Sequence, residues 1–497
     1  MSRLSVVTII CLIALIACAT SAPAAAHPVS DADELAAAIE AAAPGDDIVM
    51  ADGTWTDTVV TFETDGTADA PITLRAQTPG EVILTGSSCA AIRGDYLIMS
   101  GLAFRDGSPP VSRETGSLLR HRSVLSIGGS HNRVTNCAFV DYNSNEEGRV
   151  YHWVAIGGRE NRVDHCYFRG QTDIGNTLMA DVREGRPPAS QIDHNHFAGR
   201  PPLGRNGGET IRIGLSSTSV YNGHCIVEEN LFEDCDGEGE IISNKSCENT
   251  YRHNTFRHCS GHLTLRHGER NVVEGNFFFC EGKERSNGIR VINRDQRVFN
   301  NYIADAADFG IRLQAGWPEA ALNEYTPVER VTIAFNTIVN PAGPCLDVGG
   351  YGWEREQYGA VMPTDSIIAN NLLFNPDGQA IHIEEECEDL TWAGNIAWGE
   401  ESEAEIEGVR RVDPLLQKDE AGIWRPSAES PAVDAAAGAV DYEHPTPLVW
   451  QLANLLHDID GQRRDENRDV GCDEVRDTDI HHRPLTAADV GPEWMKQ

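Results

Sequence analysis

Between residues 135 and 397 the chain repeats one five-residue phrase: TNCAF, DHCYF, DHNHF, EENLF, RHNTF, EGNFF, FNNYI, AFNTI, ANNLL and AGNIA. The third place holds Cys137 and Cys166, then Asn195, Asn230, Asn254, Asn276, Asn301, Asn336, Asn371 and Asn395. Successive intervals run from 22 to 35 residues, so the short ones define the unit and the 35-residue ones carry an inserted loop. Each unit pairs short alternating β-rich stretches with a polar turn. Such a unit cannot bury its own apolar face and must stack on its neighbours. Stacked Asn side chains can hydrogen-bond along the pile, and Asn tolerates the left-handed backbone of a tight corner. Leucine-rich repeats would show regular Leu spacing and helical segments, and neither is present. The pattern predicts an all-β, single-domain right-handed parallel β-helix, with a helical N-terminal cap and an irregular C-terminal cap.

A solenoid grows along one axis, so 497 residues need not divide into several domains. Residues 1–26 read as an export leader, with Arg3 before an apolar run and Ala24-Ala25-Ala26 as a small-residue cleavage site. Leu15-Ile16-Ala17-Cys18 also matches a bacterial lipobox, so cleavage after Ala26 and lipidation at Cys18 are both open. The apolar run is too short to span a bilayer, and no later stretch is long and apolar enough. The expected location is outside the bacterial cytoplasm: periplasmic, secreted or tethered to the outer membrane. Residues 27–475 form the expected β-helix with its caps, and 476–497 a loosely held tail.

Of 13 cysteines, Cys11 and Cys18 fall in the leader, leaving an odd eleven, which argues against a fully paired disulfide framework. Cys235, Cys259 and Cys280 recur near the coil period and read as stacked buried thiols. No CxxC pair suggests a metal. The formal charge of −36 disfavours nucleic acid and anionic lipid as partners and makes any local basic cluster informative. At the ends, residues 31–43 read as a capping helix. The acidic, turn-rich DIDGQRRDENRDVGCDE segment reads as a C-terminal cap, since its DxDG lacks the full EF-hand spacing.

One lateral face carries the chemistry. Arg266, Arg290 and Arg312 are 24 and 22 residues apart, and Ser243 lies 23 before Arg266, so the four are expected to stand above one another. Lys245, two residues past Ser243, projects from the same face, and Glu238 and Glu240 precede it at i, i+2. The polar segment RNGGETIRIG lies upstream, and Tyr251 and His253 fall in the repeat as packing or turn residues. A row of Arg and Lys alone would bind a linear polyanion. Two carboxylates and an amide oxygen are hard ligands of the kind calcium accepts. A lysine beside a metal and an arginine has its ammonium form disfavoured, which makes it a usable base. These parts suit proton abstraction next to a carboxylate, as β-elimination of a uronic-acid polysaccharide requires.

NGGETIRIG, GEGEIISNKS and LTLRHG, in that order, resemble the motifs of the polysaccharide lyase family (family six) containing β-helical alginate lyases and chondroitinase B. The resemblance spans about residues 30 to 475. It implies that Lys245 is the general base removing the C5 proton and Arg266 the group that protonates or stabilises the leaving oxygen. It implies Asn206, Glu238 and Glu240 as Ca2+ ligands and Arg290 and His267 as substrate contacts. Arg212 is grouped with Arg290 and His267 as a substrate-binding residue, and Arg212 and Glu209 are expected to orient these groups or to serve structure. The implied partner is an anionic polysaccharide, with alginate preferred and dermatan or chondroitin sulfate second; oligomeric state is left open. Two rivals use the same fold: a glycoside hydrolase with paired acids and no need of Lys245, and an adhesin that binds without cleaving.

Overall fold

The computed structural model describes residues 25–108, 123–144, 148–350, 359–400, 405–438, 455–476 and 478–496. The leader, including Arg3 and Cys18, lies outside these residues up to position 24. Three parallel sheets run the length of the molecule. Sheet one has fourteen strands, from Ala26–Val29 to Leu390–Ala393. Sheet two has fourteen, from Gly53–Thr56 to Val409–Arg411. Sheet three has twelve, from Val59–Phe62 to Ile381–Ile383. Successive coils contribute one strand to each, which is the right-handed parallel β-helix expected from the repeat. Coiling begins earlier than the repeat phrases suggest. Ala26–Val29 already pairs with Asp47–Met50, and the helix Ala32–Ala41 is inserted between these two strands. Asp31 caps that helix by accepting from the Glu34 amide at 2.9 Å, and Leu35 and Ile39, one turn apart, are its buried face.

The repeated phrase turns the chain from sheet one into sheet two. Its Asn is buried, and each Oδ1 accepts from the backbone N–H of the equivalent residue one coil earlier. Asn230 serves Asn195 at 3.0 Å, Asn254 serves Asn230 at 3.1 Å, and the series continues to Asn395 serving Asn371 at 3.0 Å. Each Nδ2 donates back into the pile, as from Asn254 to the Val227 carbonyl at 2.9 Å. The left-handed residue is not this Asn but the one before it: His194 (φ 52°), Glu229 (52°), His253 (53°), Asn300 (53°) and Asn370 (56°). The division of labour is physical. The tight corner leaves a backbone N–H pointing inward with no strand partner, and a carboxamide on the next coil supplies the acceptor.

A second ladder, not anticipated from the repeat, lines the corner between sheets three and one. There Asn249, Asn271 and Gln296 accept from Cys225, Asn249 and Asn271 at 2.9 to 3.0 Å. The last place of the phrase points inward, and Phe104, Phe139, Phe168, Phe197, Phe232, Phe256 and Phe278 stack with centroids 4.4–5.2 Å apart. The eleven described cysteines are all unpaired, and ten of them are buried, in line with the reading as stacked thiols.

The C-terminal cap uses its acids structurally. Asp458 accepts from the Gln462 and Glu474 amides at 2.7 and 3.0 Å, and Asp460 pairs with Arg425 at 2.7 Å, so the DxDG segment is built into the cap. The final segment is not loose. It runs back along the rod: His482 stacks on His253 at 4.0 Å, the Leu485 amide donates to Thr255, and the Gly491 amide donates to the His194 carbonyl. The Trp494 indole donates to the Asn136 carbonyl. It therefore crosses the sheet-one to sheet-two corner, away from sheet three. Because Asn254 fills two buried hydrogen-bonding roles, Asn254→Ala should destabilise the fold by about 2–3 kcal/mol. Thermal or denaturant unfolding reads this, and an unchanged midpoint would remove the ladder as a source of stability.

Candidate active site

Sheet three carries the site on the strands Ile211–Gly214, Glu240–Lys245, Gly261–His267 and Ser286–Val291. Along Glu240–Lys245 the side chains alternate. Ser243 and Lys245 face outward, whereas Asn244 is buried and ties the interior together through Tyr251, Asn249 and the His267 carbonyl. The expected column of Ser243, Arg266, Arg290 and Arg312 is corrected by the register. Arg212, Ser243, Thr264, Arg290 and Arg312 are the aligned residues. Arg266 sits two residues further along, where a bulge separates the Asn244–Leu265 and Lys245–His267 pairs. The Ser243–Thr264 and Asn244–Leu265 pairs already carry Arg266 past Ser243 to the level of Lys245, and the bulge then hands the pairing of Lys245 to His267. Sequence spacing missed this because the 23-residue interval from Ser243 to Arg266 is not the pairing interval, which local bulges set at 21 residues here.

Lys245 and Arg266 meet around a shared set of carboxylates. Lys245 Nζ lies 3.6 Å from Glu209 Oε1, Arg266 Nη1 lies 2.8 Å from Glu240 Oε1, and Arg290 Nη1 lies 3.9 Å from the same oxygen. Ser243 Oγ donates to the other Glu240 oxygen at 2.5 Å. Although burial works against it, Glu240 is held down to about 2 by Arg266, Lys245 and Arg290. Arg266 is likewise raised, chiefly by Glu240, against the opposing effect of burial. His267, expected to touch substrate, is only 1% exposed and lies beneath these groups with Nε2 unpartnered. Burial, with Arg266 and Lys245 nearby, lowers it to about 4. Arg212 is half-buried, and burial lowers its pKa against the pull of Glu209.

Glu209, Glu238 and Glu240 each bring a carboxylate oxygen to within 4.8 Å of the others. Glu209 was expected only as a supporting residue; here it is buried among the three and its second oxygen accepts from Asn176 at 2.9 Å. Asn206, expected as a ligand, is exposed at the rim of the same cleft. Among the described residues Glu238 has no cationic side chain at ion-pair distance. It accepts from the Gly207 and Gly208 amides at 2.8 and 3.3 Å, and burial together with Glu209 and Glu240 pushes it up to about 7. Three hard oxygen donors at this separation, with one lacking a counter-charge, fit a divalent cation of the calcium type.

The cleft above this cluster has a volume of about 380 Å³ and is bounded by Asn206, Glu238, Glu240, Arg266 and Arg290. The inserted segment between Leu313 and Thr332 closes one side. It places the Tyr325 ring 5.4 Å from the Arg266 guanidinium and 5.3 Å from that of Arg290. Tyr325 was not found from the sequence, since nothing in the 35-residue interval tells which loop residue folds over the sheet. The cleft and the cluster beneath it thus bring an amine, two guanidiniums and three carboxylates together on one face of successive coils. It can hold an anionic sugar while moving a proton near its carboxylate.

Comparison with known proteins identifies the family. The family model described as chondroitinase B matches residues 29–438. Among solved structures, the PL6 family alginate lyase AlyGC is 35% identical with a TM-score of 0.73. The match covers 81% of this chain, and the chain spans 55% of that enzyme's length. A mannuronic acid specific family 6 lyase from human gut microbiota is 30% identical over 78% of this chain and 91% of its own, with a TM-score of 0.69. The family 6 lyase Pedsa3628 from Pseudopedobacter saltans is 27% identical, covering 80% and 98%, with a TM-score of 0.67. Nothing among curated proteins matches. With a family model matched over most of its coils, the chain belongs to the chondroitinase B family, polysaccharide lyase family 6.

Proposed function

We propose that the protein is a lyase that cleaves a uronate polymer, alginate in the first instance, by β-elimination. The observation that carries this reading is the convergence of Lys245 and Arg266 on carboxylates of one cluster. Lys245 Nζ takes the proton from C5 of the bound uronate. The electron pair left at C5 forms the C4–C5 double bond, and the C4–O bond breaks. Arg266 supplies the proton or hydrogen bond that the departing glycosidic oxygen needs. Arg290 supports the substrate carboxylate, and Tyr325 restrains both guanidiniums. Glu209, Glu238 and Glu240, with Asn206 at the rim, would hold Ca2+, which when bound neutralises the uronate carboxylate and makes C5 more acidic. His267 acts from beneath and Arg212 from beside Ser243 on the preceding coil, supporting the strands that present Lys245 and Ser243. Export from a bacterial cell, as a free or lipid-tethered protein, fits a polymer too large to enter the cytoplasm.

Alginate is favoured because AlyGC is described as an alginate lyase and the gut enzyme as mannuronic acid specific. Dermatan or chondroitin sulfate is the second substrate class, suggested by the description of the matching family model. A panel of uronate polymers, followed by the ultraviolet absorbance of the conjugated double bond, separates elimination from hydrolysis and from binding alone. Release of saturated ends, or of no new ends, would reject the lyase. Lys245→Ala should lower kcat by about 10³-fold or more with an unchanged melting temperature. Substantial turnover in that variant would dismiss the base assignment. Glu238→Gln should weaken calcium binding by at least about tenfold in calorimetry; equal affinity would take Glu238 out of the metal set.

A further inference from the structure

Beyond the carboxylate cluster from Lys245, the cleft contains polar groups that the elimination does not use. His262 is the backbone partner of Glu240 on the next coil, and it lines the cleft. Neither of its ring nitrogens has a hydrogen-bond partner. Arg285 is on the following coil, where its carbonyl accepts from the Gly261 amide at 2.9 Å, and its side chain borders the same cleft. The surroundings make its situation unusual. In this acidic chain, Arg266 is paired with Glu240, Arg312 with Asp347 and Lys283 with Asp234 and Asp236. Arg285 has no carboxylate partner among the described residues. Between it and His262 lies Gly239. A Cβ there would be 3.9 Å from Arg285 Nη2 and 4.0 Å from His262 Cε1, with nothing nearer, so the backbone leaves open ground between the two side chains.

We infer that His262, Arg285 and the open ground over Gly239 form a binding subsite for a second acidic sugar, the neighbour of the one that reacts. This rests on the lyase reading for the identity of the polymer, though the subsite itself is a binding claim. The guanidinium takes the neighbouring carboxylate, a charge-assisted and potentially bidentate contact. The imidazole offers one donor and one acceptor to ring hydroxyls. His262 and Arg285 stand on the same coils as Arg266 and Arg290 but four and five residues earlier in the chain, which places this sugar to one side of the reacting position across the sheet. Its contribution is to length preference, because a substrate too short to reach Arg285 gains nothing from it.

The test uses the full chain and uronate oligosaccharides of two to six sugars. Arg285→Ala and His262→Ala should each raise KM about tenfold for the longest oligomers, with the effect falling mainly on KM and vanishing for the shortest oligomer cleaved. Arg285→Lys should restore part of the lost affinity, which a purely structural role would not predict. Binding of a hexauronate to the Lys245→Ala protein, measured by calorimetry with chelator present, should weaken by a similar factor when Arg285→Ala is added. Equal KM changes for short and long oligomers, or an unaltered hexauronate affinity, would overturn the subsite. If the wild type yields no unsaturated ends but hexauronate still binds through Arg285, the lyase reading falls and the subsite stands. If no oligouronate binds, both fall.

Discussion

Everything in this rod depends on pairing the backbone N–H groups that its tight corners turn inward. A strand has its neighbours above and below, but the residue that turns from one sheet to the next does not. The Asn series from Asn195 to Asn395 answers this with one acceptor per coil, and the Asn249, Asn271 and Gln296 series does so at a second corner. Each buried carboxamide both receives and gives, so the two ladders set coil spacing as well as satisfying polar groups. The Phe stack inside sheet two reinforces the same repeat from the apolar side. A corner built this way is rigid, and sheet three, which carries the chemistry, hangs between such corners.

On that frame the site is an electrostatic balance. The chain carries 36 more negative than positive charges, yet the cleft gathers Arg266, Arg290 and Arg285, with Lys245 against the same carboxylate cluster. Buried carboxylates are what make this tolerable: Glu240 compensates Arg266 and Arg290, and Glu209 compensates Lys245. Among the described residues Glu238 is the one of the three with no cation at ion-pair distance, and burial, with Glu209 and Glu240 beside it, raises its pKa. The arrangement therefore has an acidic side that wants a cation and a basic side that wants an anion. A metal ion and an acidic sugar together would satisfy both, and this shared electrostatic need is what joins the metal proposal to the substrate proposal.

Much of the fold was legible because the repeat phrase reports a constraint that recurs at every coil. The capping helix was visible too, as an alanine-rich stretch from residue 31, and the structure adds the Asp31 cap and the buried face of Leu35 and Ile39. The final segment was not. Trp494 and His482 look unremarkable in a polar tail, and their packing against residues hundreds of positions earlier leaves no local pattern. In the site, Lys245, Glu238 and Glu240 were visible as a short run whose alternation sets their faces. Glu209 was noticed but placed in support, because only the folded coil shows its carboxylate reaching the other two.

Sequence alone determined the period, the sheet faces and the residue types available to the site, since these follow from local alternation and from a repeat that must stack on itself. The tertiary structure decided the register at the bulge beside Lys245, the arrival of Tyr325 over Arg266 and Arg290, and the open ground between His262 and Arg285. A bulge shifts pairing by residues that a count of the interval cannot locate. An inserted loop chooses its resting place by contacts with other coils. Distances between side chains on different coils are properties of the stack, and no single coil contains them.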